Sequence, residues 1–326
     1  MTAKSSTALP IIAGIGMAVI WGFSFLFTKE TLDHTFPLQL LGFRFAVAAL
    51  LLTLLKWIGL IKINLKGKSI SSLILLALFQ PGLYFIGETW GVKWTSASEA
   101  GMVIALVPIS IATMAAFFLK EKLNAKQVFS IGASVVGVMI IVSVQGALEF
   151  GEHLWGILAL FVAVLAAGAY SILSRQSSLN FNSLEITFVM MWVGTVIFNG
   201  LGVAQSVIQG EVMSYFEPLQ LASVLGAIFY LSVISSVLAF FLSNYMFACL
   251  PVSQTAPIFN LITVVAVFAG VFFRGEPFGW LHAIGITLII LGVWGTNVFG
   301  RTNDAPRCED REAICEIRSS KLEARG

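Results

Sequence analysis

Residues 219–273 read LQLASVLGAIFYLSVISSVLAFFLSNYMFACLPVSQTAPIFNLITVVAVFAGVFF, 55 consecutive positions without a charged side chain. A water-exposed surface needs charge, so a soluble domain does not tolerate such a run. A bilayer does. Its hydrocarbon core takes about 20 apolar residues per helical crossing, so the run holds two crossings, one on each side of Pro251. The residues show no strand-like alternation, and in lipid only a closed barrel would satisfy strand backbones. This stretch therefore predicts an all-α membrane protein.

Working outward, charged residues punctuate the chain into further apolar runs. Crossings are expected near 9–28, 37–57, 70–90, 97–119, 126–146, 154–174, 185–207, 219–247, 252–273 and 279–299. The chain is 58% hydrophobic and 11% charged, against roughly 25% charged in an average soluble chain. Ten crossings use up its 326 residues and leave no room for a large soluble domain. A net charge of +2 gives no argument for nucleic acid. Residues 9–28 carry Trp21 and lack a small-residue cleavage site, so they read as a first crossing rather than a leader. One set of loops and flanks holds Lys4, Lys56, Lys62, Lys66, Lys68, Lys120, Lys122, Lys126, Arg175 and Arg301; the other holds Lys29, Lys93 and Arg274. The positive-inside rule makes the first set cytoplasmic, and an even number of crossings puts both termini there. Residues 300–326, rich in Arg and Glu, are expected to be a solvated cytoplasmic tail.

The halves repeat. Slid by 146 positions, Gly22 meets Gly168, Lys29 meets Arg175 and Leu38 meets Leu184. Slid by 155, Phe117-Phe118 meets Phe272-Phe273, Glu121 meets Glu276 and Gly137 meets Gly292. Each unit, 9–146 and 154–299, holds five expected crossings. Five is odd, so the second unit enters the bilayer upside down. Two inverted five-helix repeats are an architecture of secondary transporters, with the substrate at the repeat interface near the midplane.

Other chemistries lack support. Gly67-Lys68-Ser69 ends like a phosphate-binding loop, but the position that needs the first glycine is Lys62 and no strand precedes it. His34, His153 and His282 are far apart, and Cys249, Cys308 and Cys315 form no metal spacing and read as three unpaired thiols. No enzyme, metal or cofactor is expected. Polar groups inside crossings are the candidates. Arg44 lies seven residues into the second crossing and wants a counter-charge; Glu88 and Glu99 match its depth, giving an expected structural ion pair. Pro81, Pro108 and Pro257 are expected to break crossings three, four and nine and free backbone groups toward a cavity. The expected substrate contacts are Trp21, Gln80, Tyr84, Ser110, Tyr170 and Asn260. Ser235, Ser236, Ser243 and Asn244 offer helix-to-helix hydrogen bonds instead.

Three stretches carry a family resemblance: Trp21-Gly22-Phe23-Ser24; Leu41-Gly42-Phe43-Arg44-Phe45; and Thr95-Ser96-Ala97-Ser98-Glu99-Ala100 running to Pro108 and then Leu119-Lys120-Glu121-Lys122-Leu123. In their order and spacing the chain resembles the EamA-type branch of the drug/metabolite transporter superfamily over about residues 9–299. The resemblance implies a carrier of amino acids, other small metabolites or drugs, mostly outward, with a cavity lined by crossings one, three, four, six, eight and nine. The expected function is export of amino acids or related compounds across the cytoplasmic membrane by alternating access, as a monomer. A single intramembrane arginine disfavours phosphorylated substrates, which need several cations. The alternatives are an exporter of hydrophobic drugs, a lipid flippase and a non-transporting membrane scaffold.

Overall fold

The computed structural model describes residues 8–32, 34–94, 103–104, 106–144, 154–210, 212–274 and 278–299. Glu99, Glu276 and the expected tail lie outside them. Among the described residues there is no strand. The helices are α1 (Ala8–Leu32), α2 (Pro37–Trp57), α3 (Ser71–Ala77), α4 (Tyr84–Trp94), α5 (Val107–Phe118), α6 (Ala125–Val144), α7 (Leu154–Ser177), α8 (Ser183–Gln209), α9 (Ala222–Phe229), α10 (Ala239–Cys249), α11 (Val252–Arg274) and α12 (Trp280–Phe299). A kinked segment, Leu78–Leu83, joins α3 to α4, and a widened π-helical segment, Tyr230–Leu238, joins α9 to α10. Among the described residues, seven helical stretches are long and apolar enough to cross a membrane, two of them being these composite helices; α5, α6 and α12 contribute shorter apolar stretches.

Helix ends follow local chemistry. Pro37 opens α2, where its missing N–H costs nothing and its fixed φ suits a first turn. Asn182 and Glu185 exchange side-chain and backbone hydrogen bonds at the start of α8, a reciprocal capping box. Asn124 and Gln127 do the same before α6, and the Gly279 N–H donates to His282 Nδ1 before α12. Gly210 ends α8 in the left-handed region at φ 74°, a conformation that disfavours side chains with a Cβ.

The expected breaks need correction at one proline, Pro257. Pro81 does sit in an interruption, where Gln80 has non-helical φ/ψ of −145° and 115°. Crossing four is also interrupted: Leu106 forms a turn between helical residues 103–104 and α5, and Pro108 stands in the first turn of α5 just past it. α11 runs unbroken through Pro257, its sixth residue, so only one carbonyl near the helix start loses its partner. The Tyr230–Leu238 interruption contains no proline. Cys249 is disulfide-bonded, so the expectation of three unpaired thiols fails.

Helices pack pairwise across the chain: α1 on α10 and α11, α2 on α8, α4 on α7, α5 on α7 and α11, and α6 on α12. Small residues set the closest approach. A Cβ at Gly137 on α6 would lie 2.5 Å from the Gly285 carbonyl oxygen on α12, and one at Gly292 would lie 2.6 Å from the Ser130 carbonyl oxygen. Packing and dispersion between closely spaced small residues drive association in lipid, where no hydrophobic effect acts between helices. Phe117, Phe129, Val196 and Phe272 remain more than two-thirds exposed on the perimeter, as a lipid surroundings permits.

Candidate functional site

The two interruptions expose backbone and side-chain polarity where continuous helix would hide it. Arg44, on α2, is 5% exposed and donates from Nε to Ser236 Oγ at 2.7 Å and from Nη2 to Ser235 Oγ at 2.8 Å. Both serines belong to Tyr230–Leu238. The guanidinium carbon lies 5.1 Å from the Phe85 ring centroid and 5.8 Å from that of Phe45, so two aromatic faces help stabilise the cation. Trp21 Nε1 donates to the Ser235 carbonyl at 3.0 Å. Trp21 and Arg44 therefore read the same residue, one through its backbone and one through its hydroxyl.

On the other side stand Tyr84 and Glu88, one turn apart on α4. The Tyr84 hydroxyl lies 3.4 Å from Glu88 Oε1, a long hydrogen bond. Glu88 stands one turn beyond Phe85, the ring that Arg44 faces at 5.1 Å. Among the described residues no carboxylate approaches Arg44 within 4 Å; the contact ion pair that is present joins Lys68 to Glu185 at 2.9 Å. Gln80, 5% exposed, sits in the first interruption, and its amide has no hydrogen-bond partner among the described residues. An open cleft of about 410 Å³ lies between α2, α4 and α8, and Arg44, Gln80, Tyr84 and Glu88 are not among its lining residues. Thr89 and Trp90 of α4, Leu38 of α2 and Leu201, Gln205 and Ile208 of α8 line it.

A second polar cluster is closed. Asn244 is fully buried. Its Oδ1 accepts from the Tyr170 hydroxyl at 3.0 Å and from Ser174 Oγ at 2.8 Å, while Nδ2 donates to Thr187 Oγ1 at 3.0 Å. This ties α7, α8 and α10 together. Phe240 links the two clusters, with ring centroids 5.1 Å from Trp21 and 6.3 Å from Tyr170.

The expected contacts thus separate. Trp21, Gln80 and Tyr84 lie on the elements around Arg44, and Tyr170 belongs to the adjoining closed cluster. Asn260 donates to Ser134 Oγ on α6 at 2.9 Å, and Ser110 lies buried against α7 beside Gly168. Glu99 lies outside the described residues. Ser235 and Ser236 as the partners of Arg44, and Phe45 and Phe85 as its aromatic faces, were not assigned from sequence. A hydroxyl pair in a run without charge was the one available signal.

Interrupted membrane helices that bring polar groups into the interior of a helical bundle define a membrane carrier. Residues 8–143 and 154–298 each match the EamA-like transporter family, and the chain belongs to that family. It is 32% identical over 287 residues to "Uncharacterized transporter YcxC" of Bacillus subtilis (strain 168), across 88% of this chain and 92% of that protein. It is 25% identical over 224 residues to a "Probable terminal-alkyne amino-acid exporter" of Streptantibioticus cattleyicolor, across 68% of this chain and 72% of that protein. One solved crystal structure, 17% identical, superposes with a TM-score of 0.71 over 89% of this chain and 98% of its own; at that identity the likeness shows the fold alone. The protein is a multi-pass membrane transporter.

Proposed function

We propose that the chain forms ten crossings as two inverted five-helix repeats, 9–146 and 154–299, with both termini cytoplasmic. It acts as a monomer and exports amino acids or related small metabolites by alternating access, without ATP. The observation that carries this reading is the pair of interrupted helices. Gln80 and Ser235 are equivalent under the 155-residue offset; Gln80 stands in a kink with non-helical φ/ψ, Ser235 in a continuous π-helical turn, and Arg44 reaches Ser235. Discontinuous helices at corresponding positions of two halves mark transporter binding sites.

Several equivalences support the repeat. Gly22 packs against Val265 and Gly168 against Ser110, and the offsets exchange these pairs. Gln39 and Glu185 hold the third position of α2 and α8. Each bonds the backbone at its own helix start and also reaches the loop after the other's helix, Gln39 to the Tyr215 carbonyl and Glu185 to the Asn64 N–H. Gln127 and His282 fill equivalent caps on α6 and α12. The two family matches divide the chain at the same place.

For the substrate, one buried arginine suits a single carboxylate better than a phosphate, and a relative is named as an amino-acid exporter. The mainly apolar cleft favours a second reading, an exporter of hydrophobic compounds. Uptake and counterflow in proteoliposomes, with a panel of amino acids and hydrophobic drugs and with or without a proton gradient, separates the two. Flux of no amino acid sinks the first. Cysteines placed at 60–68 that react from outside intact cells would sink the topology.

A further inference from the structure

We propose that Arg44 and Glu88 form a dipolar clamp for a zwitterionic α-amino acid, Arg44 taking the carboxylate and Glu88 the ammonium. The inference rests on the transport reading above and names what that site recognises. A guanidinium has five N–H donors. Two of those on Arg44 go to serine hydroxyls, and the other three have no acceptor among the described residues. Serines and ring faces are neutral. They orient the group without cancelling its charge, and a buried cation without a contacting anion is strongly disfavoured. A ligand carboxylate supplies the missing anion, and its two oxygens match the guanidinium fork.

Glu88 is the complement. It stands one turn along α4 from Phe85, whose ring Arg44 faces, makes no contact ion pair with Arg44, and its one hydrogen bond among the described residues is the long one from Tyr84. It therefore keeps acceptor sites for an ammonium. The ligand bridges the two groups, its carboxylate on Arg44 and its ammonium on Glu88. The opposite repeat does not duplicate the clamp. The offsets carry Arg44 to Met190 and Glu88 to Ser243, both neutral. Ser243 lies in the closed Tyr170–Asn244 cluster, whose groups partner one another. The ligand is thus held off the pseudo-axis in one orientation, carboxylate toward Ser235 and Ser236, ammonium toward α4.

The test uses the full-length protein in proteoliposomes. For each α-amino acid found to be transported, its methyl ester and its deaminated acid are tried as competitors. Loss of one charge-assisted contact should weaken each competitor by about tenfold or more. In Glu88→Gln, the preference for the amino acid over its deaminated acid should fall by about tenfold, because only the ammonium contact is lost. Arg44→Lys should weaken the amino acid and the deaminated acid together. An ester or deaminated acid that competes as well as the parent overturns the clamp and leaves the transporter reading standing. So does Glu88→Gln that slows both ligands equally, as a merely structural carboxylate would. Transport of no α-amino acid overturns the clamp and the substrate class together. The competitor measurements need no variant, so the outcome does not depend on whether Arg44 or Glu88 substitutions fold.

Discussion

Asn244→Leu tests whether the closed cluster holds the second half together. The substitution keeps the number of side-chain heavy atoms and removes every polar contact of the amide. Three hydrogen bonds to oxygen disappear, those with Tyr170, Ser174 and Thr187 at 2.8–3.0 Å, together with a weak one to Met190 Sδ at 3.5 Å. Interhelical hydrogen bonds in membranes average about 0.6 kcal/mol each, so the sum is about 2 kcal/mol. The orphaned groups soften the loss. Tyr170 retains Ser243 at 3.3 Å and Thr187 already donates to the Ser183 carbonyl at 2.8 Å. At about 2–4 °C per kcal/mol, the midpoint of thermal unfolding in detergent should fall by about 4–8 °C. Tyr170→Phe alone should cost less, and the double variant should fall short of the sum because the two share a bond. A midpoint within about 1 °C of the parent, or strict additivity with Tyr170→Phe, refutes the reasoning that this network joins α7, α8 and α10.

Four further outcomes are expected. Gly137→Ala should lower stability by about 1–3 kcal/mol through its clash with the Gly285 carbonyl, whereas Gly132→Ala, with nothing within 4 Å of a new Cβ, should not; equal unfolding midpoints contradict the α6–α12 packing. Glu121 accepts from the Val252 and Ser253 N–H groups at 2.9 Å at the start of α11, so Glu121→Ala should cost about 1–2 kcal/mol, measured by thermal unfolding, and Glu121→Gln less. Tyr215 has a buried hydroxyl with no partner among the described residues, and burial pushes its phenol up so that it stays neutral; Tyr215→Phe should leave stability unchanged or raised, and a clear loss in the same assay would reveal a bond to that hydroxyl. Gln80→Leu should cut transport flux with little change in unfolding, while Asn260→Leu should lower the midpoint because it loses Ser134; the reverse pattern would exchange their roles.

The helical boundaries were largely legible because lipid forces charge to the ends of crossings. The expected run 37–57 coincides with α2, and 252–273 with α11 to within one residue. Depth along each helix was legible for the same reason, since position in a run converts directly to distance. Facing direction was not. Glu88 matched Arg44 by depth, but the hydroxyls that bond Arg44 come from 191 and 192 residues away, a pairing that only the packed bundle fixes. Asn260 shows the same limit: its depth suited a cavity, and its azimuth turns it to Ser134. The Pro81 interruption was marked by a residue that cannot donate. The Tyr230–Leu238 interruption has no such mark, because a widened turn keeps its donors and leaves no compositional trace.

Every crossing of the first half finds its main neighbours in the second: α1 on α10 and α11, α2 on α8, α4 on α7, α5 on α7 and α11, α6 on α12. Soluble multidomain chains commonly finish their N-terminal domain while the rest is still being made. This chain has no such option. When α2 first enters the bilayer, the serines that will bind Arg44 are not yet synthesised, so the nascent chain must carry that cation without its two serine acceptors until residue 236 arrives. The membrane insertion machinery therefore has to shelter half a protein that cannot yet fold. A chain terminated before residue 236 would present that cation, and one terminated before α12 the glycine face of α6, as a standing signal for degradation.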